Sequence, residues 1–224
     1  MSQRTGKAAP GLREHKKQRT RATLVDVAAR LCAQQGYERT TVDQIAAAAE
    51  VSPRTFSRYF PNKEAVIGAL IEEISDHVAA ALDRQPHDIT EHEALVRAHV
   101  EVLRDAGRGA PDALSFDRVS GFISIVNSTP MLGLASFTFR PEGPTQTTVE
   151  AIARRMGLSV AHPAVRIVFD TWAVLMATAL GVPGSGASDP VSVSERIEAS
   201  YAIFTRLWQP WRPQGQPPSG APQP

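Results

Sequence analysis

Residues 39–64 read RTTVDQIAAAAEVSPRTFSRYFPNKE, and this stretch restricts the fold more than any other part of the chain. Thr41 followed three residues later by Gln44 is a capping box, and Val42, Ile45, Ala46 and Ala49 fall at i, i+3, i+4 and i+7 behind it. The spacing predicts a short helix over 41–49 whose small side chains let another helix come close. Ser52 then offers an N-cap, and Pro53 takes the first helical position, where a missing N–H does no harm. In this second helix Phe56 and Phe60 point inward, while Arg54 with Arg58 and Thr55 with Tyr59 form two i,i+4 rows on the outside. Only Glu50 and Val51 separate the two helices. That is the spacing of a helix-turn-helix, whose second helix enters a major groove. An outer face of guanidinium, hydroxyl and phenol groups carries the donors that phosphates and base edges accept.

An upstream helix over 17–35 supports the pair, with Leu24, Val27, Ala28 and Leu31 as its apolar stripe and Gly36 as its stop. Charge agrees with this arrangement. Residues 1–64 hold 12 Lys+Arg against 6 Asp+Glu, a net of +6, whereas residues 65–224 hold 12 against 17, a net of −5. All four lysines (Lys7, Lys16, Lys17, Lys63) lie in the basic part, as a surface facing polyphosphate requires. Residues 1–16 show no apolar period and form a basic arm, of which the part from Arg13 to Arg21, including Lys17 and Arg19, is expected near DNA.

These residues resemble the N-terminal signature of the tetracycline-repressor (TetR) family of bacterial transcription regulators. The resemblance is carried by Ala28, Leu31, Gly36, Thr40, Thr41, Val42, Ile45, Ala46, Ala49, Val51, Ser52, Thr55, Phe60, Pro61, Lys63 and Glu64, and it covers about the first 75 residues. It implies a homodimer that binds a palindromic operator, represses by blocking polymerase, and is released by a small ligand in a variable C-terminal domain. It also implies phosphate contacts from Thr41, Tyr59 and Lys63, and contacts in or beside the groove from Arg54, Thr55 and Arg58. Two positions depart from the family pattern. Glu50 stands where glycine is common in the turn, and Ser57 stands where a large aromatic is usual, leaving a short hydroxyl to reach a phosphate.

Beyond Pro61 the chain reads as helices separated by breakers. Asn62 caps a long helix to about residue 84, and Thr90 with Glu93 opens another to about 106. Further helices are expected near 112–127, 130–156, 163–180 and 191–208, with loops at 107–111, 140–144, 157–162 and 181–190. No strand alternation is evident. The fold class is therefore all-α, with about nine helices: a basic arm (1–16), a three-helix helix-turn-helix head (17–62), a larger helical bundle for ligand binding and dimerisation (63–208), and a Pro- and Gln-rich tail (209–224). The uncharged run 119–139 is broken by Asn127, Pro130 and Gly133, and the single Cys32 forms no intramolecular disulfide. Cytoplasmic residence without a membrane partner is the expectation.

The last two expected helices carry long apolar seams. Val165, Phe169, Trp172, Met176 and Ala179 recur at four- and three-residue spacing, as do Ile197, Tyr201, Phe204 and Trp208. Paired with their copies they would form a four-helix dimer interface; otherwise they are internal core. A lipophilic effector of unknown identity is expected among Phe116, Phe122, Ile123, Val126, Met131, Phe137, Trp172 and Met176, with Asn127, Arg97, Arg118 or Asp170 orienting a polar end. No phosphate loop, nucleophile elbow or cysteine pair is present, so neither a catalytic residue nor a cofactor is assigned. Two alternatives remain: an adaptor that binds DNA without a ligand, and a metal-responsive regulator using His92 and His99. Their seven-residue spacing exceeds the i,i+4 pair that chelates one ion, and no metal site is assigned.

Overall fold

The computed structural model describes residues 11–128, 143–180 and 189–207. The described residues form nine helices and no strand: α1 (Leu12–Gln35), α2 (Val42–Ala48), α3 (Pro53–Tyr59), α4 (Lys63–Asp83), α5 (Glu91–Arg108), α6 (Phe116–Ser128), α7 (Gln146–Met156), α8 (Pro163–Leu180) and α9 (Pro190–Leu207).

The local start signals hold in atomic detail. Thr41 Oγ1 accepts from the Gln44 amide at 3.2 Å while Gln44 Oε1 accepts from the Thr41 amide at 3.0 Å. Ser52 Oγ accepts from the Thr55 amide at 3.1 Å, Asn62 Oδ1 from Ala65 at 2.8 Å and Thr90 Oγ1 from Glu93 at 3.2 Å. Each cap satisfies an amide that the helix itself leaves unpaired. Two starts differ from expectation. α1 begins at Leu12 rather than Lys17, with Gly11 as its N-cap; residues 13–16 have helix-forming side chains but no apolar period to reveal them. α6 begins at Phe116 rather than near Asp112, because Asp112 sits at φ 59°, in the left-handed region, and cannot continue a right-handed turn.

The turn between α2 and α3 has the geometry of a helix-turn-helix. Glu50 lies at φ 55°, the left-handed conformation that glycine adopts most cheaply. Glu50→Gly is therefore expected to raise stability by about 0.5 kcal/mol, the relief of side-chain strain less the extra freedom glycine has when unfolded. An unchanged or lower urea midpoint for that variant would contradict the strain argument.

One continuous core runs from Leu24, Ile45 and Phe56 of the head through Val66 and Leu70 of α4 to Ile123 and Trp172 of the bundle. The most extensive contact joins α1 to α6, followed by α5 with α9 and α4 with α7. α1 and α6 come close enough that a Cβ added at Gly121 would lie 2.3 Å from the Ala29 carbonyl oxygen. Between α4 and α7, Ser75 Oγ lies 2.8 Å from the hydroxyls of both Thr147 and Thr148.

The seams of the last two helices turn inward. Val165, Phe169, Trp172 and Ile197 are buried within one chain, as are Met176 and Ala179, so they fill the subunit core rather than a face left for a second copy. Tyr201 and Phe204 are half-buried and lean on α5, through Thr90 and His92. Trp208 lies outside the described residues. The period of a stripe identifies the buried side of a helix but not what buries it. α8 is apolar enough, at a mean hydropathy of 1.4 over 18 residues, to match a membrane span by length and composition, yet its inner face is this core.

Candidate functional site

The first turns of α1 and the outer face of α3 form the two walls of an open basic groove. Arg13, Lys16, Lys17 and Thr20 line one wall, and Thr55, Arg58 and Tyr59 the other, with Glu14 the acidic residue among them. The groove continues along α1 past Arg19 and Thr23 to Ala49 and Val51. The α3 side is rigid because Phe56 is wholly buried and Phe60 almost so, their ring centroids 6.0 Å apart. The Tyr59 hydroxyl is hydrogen-bonded to Thr20 and lies near Arg58 and Lys17, which holds it below the usual phenol value. The Arg58 guanidinium rests over the Tyr59 ring, 5.2 Å from its centroid.

The structure distributes the other expected contacts unevenly. Arg54 and Ser57 are exposed on α3, with Ser57 Oγ donating back to the Pro53 carbonyl at 3.1 Å. Thr55 is half-buried, its hydroxyl 2.9 Å from that of Ser52. Thr41 is exposed at the start of α2. Arg21 turns away from the groove: it lies over the Phe60 ring at 5.1 Å and 3.8 Å from Glu72 of α4. Lys63 is held within the chain, donating to the Tyr37 carbonyl at 2.9 Å with its ammonium 3.9 Å from the Tyr37 ring centroid. The Tyr37 hydroxyl donates to Glu64 at 2.8 Å, so the start of α4 is tied twice to the α1–α2 connection. Arg13, Lys16 and Thr20, part of the stretch expected near DNA, stand on the groove wall because α1 extends to Leu12.

A second feature lies inside the bundle. Ile74 and Val78 of α4, His99, Val102 and Leu103 of α5, Val119, Phe122 and Ile123 of α6, Met176 and Leu180 of α8 and Val193 of α9 enclose a cavity of about 40 Å³. Small-molecule sites span roughly 300–1,000 Å³, so a ligand of that kind enters only if these helices separate. Three expected residues, Phe122, Ile123 and Met176, line the cavity. Val126 and Trp172 are buried without lining it, Phe116 is 47% exposed, and Asn127 is half-buried with its Oδ1 unpaired. Met131 and Phe137 lie outside the described residues. The expected polar ends are engaged elsewhere: Arg97 pairs with Glu93, Asp170 with Arg166, and Arg118 with Asp26 and Glu73. His99 is the polar side chain the sequence did not place here. His92 instead packs on Phe204, ring centroids 5.6 Å apart, so the two histidines occupy separate surroundings.

The cavity and the groove are joined by α6. On its cavity side it presents Val119, Phe122 and Ile123; on its other side it grips α1. Arg118, only 15% exposed, bridges Asp26 of α1 at 2.5 Å and Glu73 of α4. Ser124 Oγ donates to the Cys32 carbonyl at 3.1 Å, and Gly121 lies against the Ala29 backbone between them.

Comparison with known proteins agrees with this architecture. Residues 24–70 match the family described as bacterial regulatory proteins, tetR family. The chain is 36% identical over 159 residues to the HTH-type transcriptional regulator TcmR of Streptomyces glaucescens, covering 71% of this chain and 70% of that protein. Among solved structures, the TetR family protein CprB from S. coelicolor A3(2) superposes with a TM-score of 0.51 at 23% identity, over 85% of this chain and 89% of that one. A TetR-family transcriptional regulator from Streptomyces coelicolor gives 0.50 at 19% identity, over 84% of this chain and 99% of the other. With the helix-turn-helix, the basic groove and the helical bundle in place, the chain belongs to the TetR family of DNA-binding transcriptional regulators.

Proposed function

We propose that this regulator is a repressor that binds a palindromic operator as a homodimer and is released when a small apolar effector enters the bundle cavity. The observation that carries the DNA half is the basic groove shared by the first turns of α1 and the outer face of α3. In this reading residues 17–62, extended by the turns from Leu12, are the DNA-binding unit, residues 63–208 hold the effector and dimer surfaces, and the flanking segments are an arm and a tail. Arg54, Thr55 and Arg58 face base edges. Thr41, Ser57, Tyr59, Lys17 and Arg19 meet phosphates, while Arg21 and Lys63 chiefly brace the head against α4.

In this reading the dimer surface lies on the outer sides of α8 and α9. Ile167 and Val174 of α8 are 64% and 61% exposed, and Ile203 and Leu207 of α9 are 50% and 76% exposed. Large apolar side chains gathered on adjacent helices favour a partner, and two-fold pairing sets the recognition helices about 34 Å apart, one turn of DNA. The effector acts by separating the cavity walls. α4 and α6 both line the cavity and both contact α1, so their movement tilts the head and spoils the spacing. This is a population shift, and the effector must bind the released geometry better.

The experiment is selection of bound fragments from random duplex DNA by the purified full chain. Two inverted half-sites are the expected result; absence of salt-sensitive binding to any duplex would defeat the proposal. On the selected operator, Arg58→Ala is expected to cost about 1–3 kcal/mol and relax preference at one base position, whereas Lys17→Ala weakens all sequences alike and lowers the salt slope by about one. Equal losses on every sequence from both variants would refute this division of labour.

A further inference from the structure

We propose that the bundle cavity selects an uncharged, apolar molecule bearing a hydroxyl group, whose O–H donates a hydrogen bond to Nε2 of His99. This deepens the effector reading above and rests on it.

Among the described residues that enclose the cavity, His99 is the sole polar side chain. Its Nδ1 lies 2.8 Å from the Leu95 carbonyl oxygen, one turn earlier on α5. A carbonyl oxygen only accepts, so Nδ1 must carry the hydrogen. A neutral imidazole has one N–H, and Nε2 is therefore left as an acceptor. Among the described residues no group donates to Nε2.

The ring has little freedom to reverse these roles. The Trp172 indole packs on it with centroids 4.6 Å apart, and Trp172 is itself wholly enclosed. The side chain is half-buried, and its desolvation keeps the ring neutral, pushing its pKa down to about 4. The described residues of the walls carry no charge, so a carboxylate or ammonium group entering among them would lose its hydration without a counter-ion. A ketone or ether oxygen would bring a lone pair toward the lone pair of Nε2. A hydroxyl brings the missing donor, and the remainder of the ligand replaces contacts between apolar side chains. Sites with a fixed polar group discriminate most strongly against analogues that leave that group unpaired.

The test uses the full chain labelled with ¹⁵N-histidine, with His99 assigned by its disappearance in His99→Phe. In the unliganded protein, long-range ¹H–¹⁵N spectra are expected to show Nδ1 protonated and Nε2 bare. Naphthol, titrated as the probe, is expected to move the Nε2 resonance in the direction of hydrogen-bond acceptance. It should also bind at least about tenfold tighter than its methyl ether. In His99→Phe, which keeps an aromatic ring against Trp172, that preference should fall to near unity. A hydrogen found on Nε2, equal binding of the ether, or failure of naphthol to bind overturns the proposal; the spectrum decides on the native protein even if the variant folds poorly. Release of the selected operator by a compound lacking any hydroxyl would remove the ligand class while leaving the effector-responsive repressor intact. Retention of the operator with every effector candidate would remove both.

Discussion

Gly121→Ala is expected to destabilise the protein by about 3 kcal/mol, at the upper end of what overpacking costs. The new Cβ would stand 2.3 Å from the Ala29 oxygen, 2.7 Å from its carbonyl carbon and 2.8 Å from its Cα. All three are backbone atoms of a helix, so no side chain can swing aside; α6 must withdraw from α1. Withdrawal lengthens the Ser124 bond to the Cys32 carbonyl and the Arg118 bridge to Asp26, two further ties between these helices. Gly68→Ala on α4 is the internal control. Nothing lies within 4 Å of its added Cβ, and alanine is the better helix former, so a gain of about 0.5–1 kcal/mol is expected. Urea unfolding at one fixed protein concentration checks both, the fixed concentration being required of any protein whose folding is linked to self-association. Equal midpoints for the two variants would show that the close approach at Gly121 does not hold α6 to α1.

The second large effect is one of pH. Burial pushes the pKa of His99 down to about 4, the bond to the Leu95 carbonyl offsetting it in part; a histidine in an unfolded chain titrates near 6.5. Between these values the unfolded chain takes up a proton that the folded chain refuses, so stability falls as pH falls. The contribution is fully present above about pH 6.5 and is lost progressively toward pH 4, on the order of 3 kcal/mol in all. His92, whose pKa burial also lowers, acts in the same direction. The described residues that line the cavity with His99 are uncharged, so none of them compensates. Denaturant midpoints between pH 7 and pH 4.5 are expected to drop more steeply for the native protein than for His99→Phe. Parallel curves would mean that His99 charges in place, and that the cavity admits water more freely than its apolar walls indicate.

Much of the helix-turn-helix was legible because its signals are local. A capping side chain reaches an amide three residues away, and Pro53 needs only its own missing N–H, so Thr41, Ser52, Asn62 and Thr90 announced four helix starts that the structure bears out. The departure at Glu50 was also readable through the family resemblance, which marks that turn position as one where glycine is common, and the structure puts Glu50 at φ 55°. The helical state of the first turns of α1 was missed for a matching reason. They project beyond the core, so no apolar period marks them, although the stretch from Arg13 to Arg21 was already expected near DNA.

The bundle was less legible, and the errors have one physical origin. The seam over Val165, Phe169 and Trp172 is genuine, but periodicity alone cannot distinguish a stripe covered by neighbouring helices of the same chain from one covered by a second subunit. Met176 and Phe122 were placed in the cavity on apolarity, a property that most of the core shares, whereas His99 was set aside as one of a histidine pair. What sets His99 apart is the Leu95 carbonyl on one edge and the Trp172 ring on its face. Arg118, expected to orient a ligand, instead ties α6 to α1 and α4 because two carboxylates from distant parts of the chain meet there.

From its residues alone the chain dictated where helices begin, the spacing of the helix-turn-helix, the basic character of the head and the family to which it belongs. These depend on groups within one turn of each other and on summed charge. Tertiary structure decided which wall each apolar stripe meets, that α6 joins the cavity to the head through Gly121 and Arg118, and which nitrogen of His99 is left to accept. Those outcomes depend on contacts between residues tens of positions apart, for which neither period nor spacing carries a record.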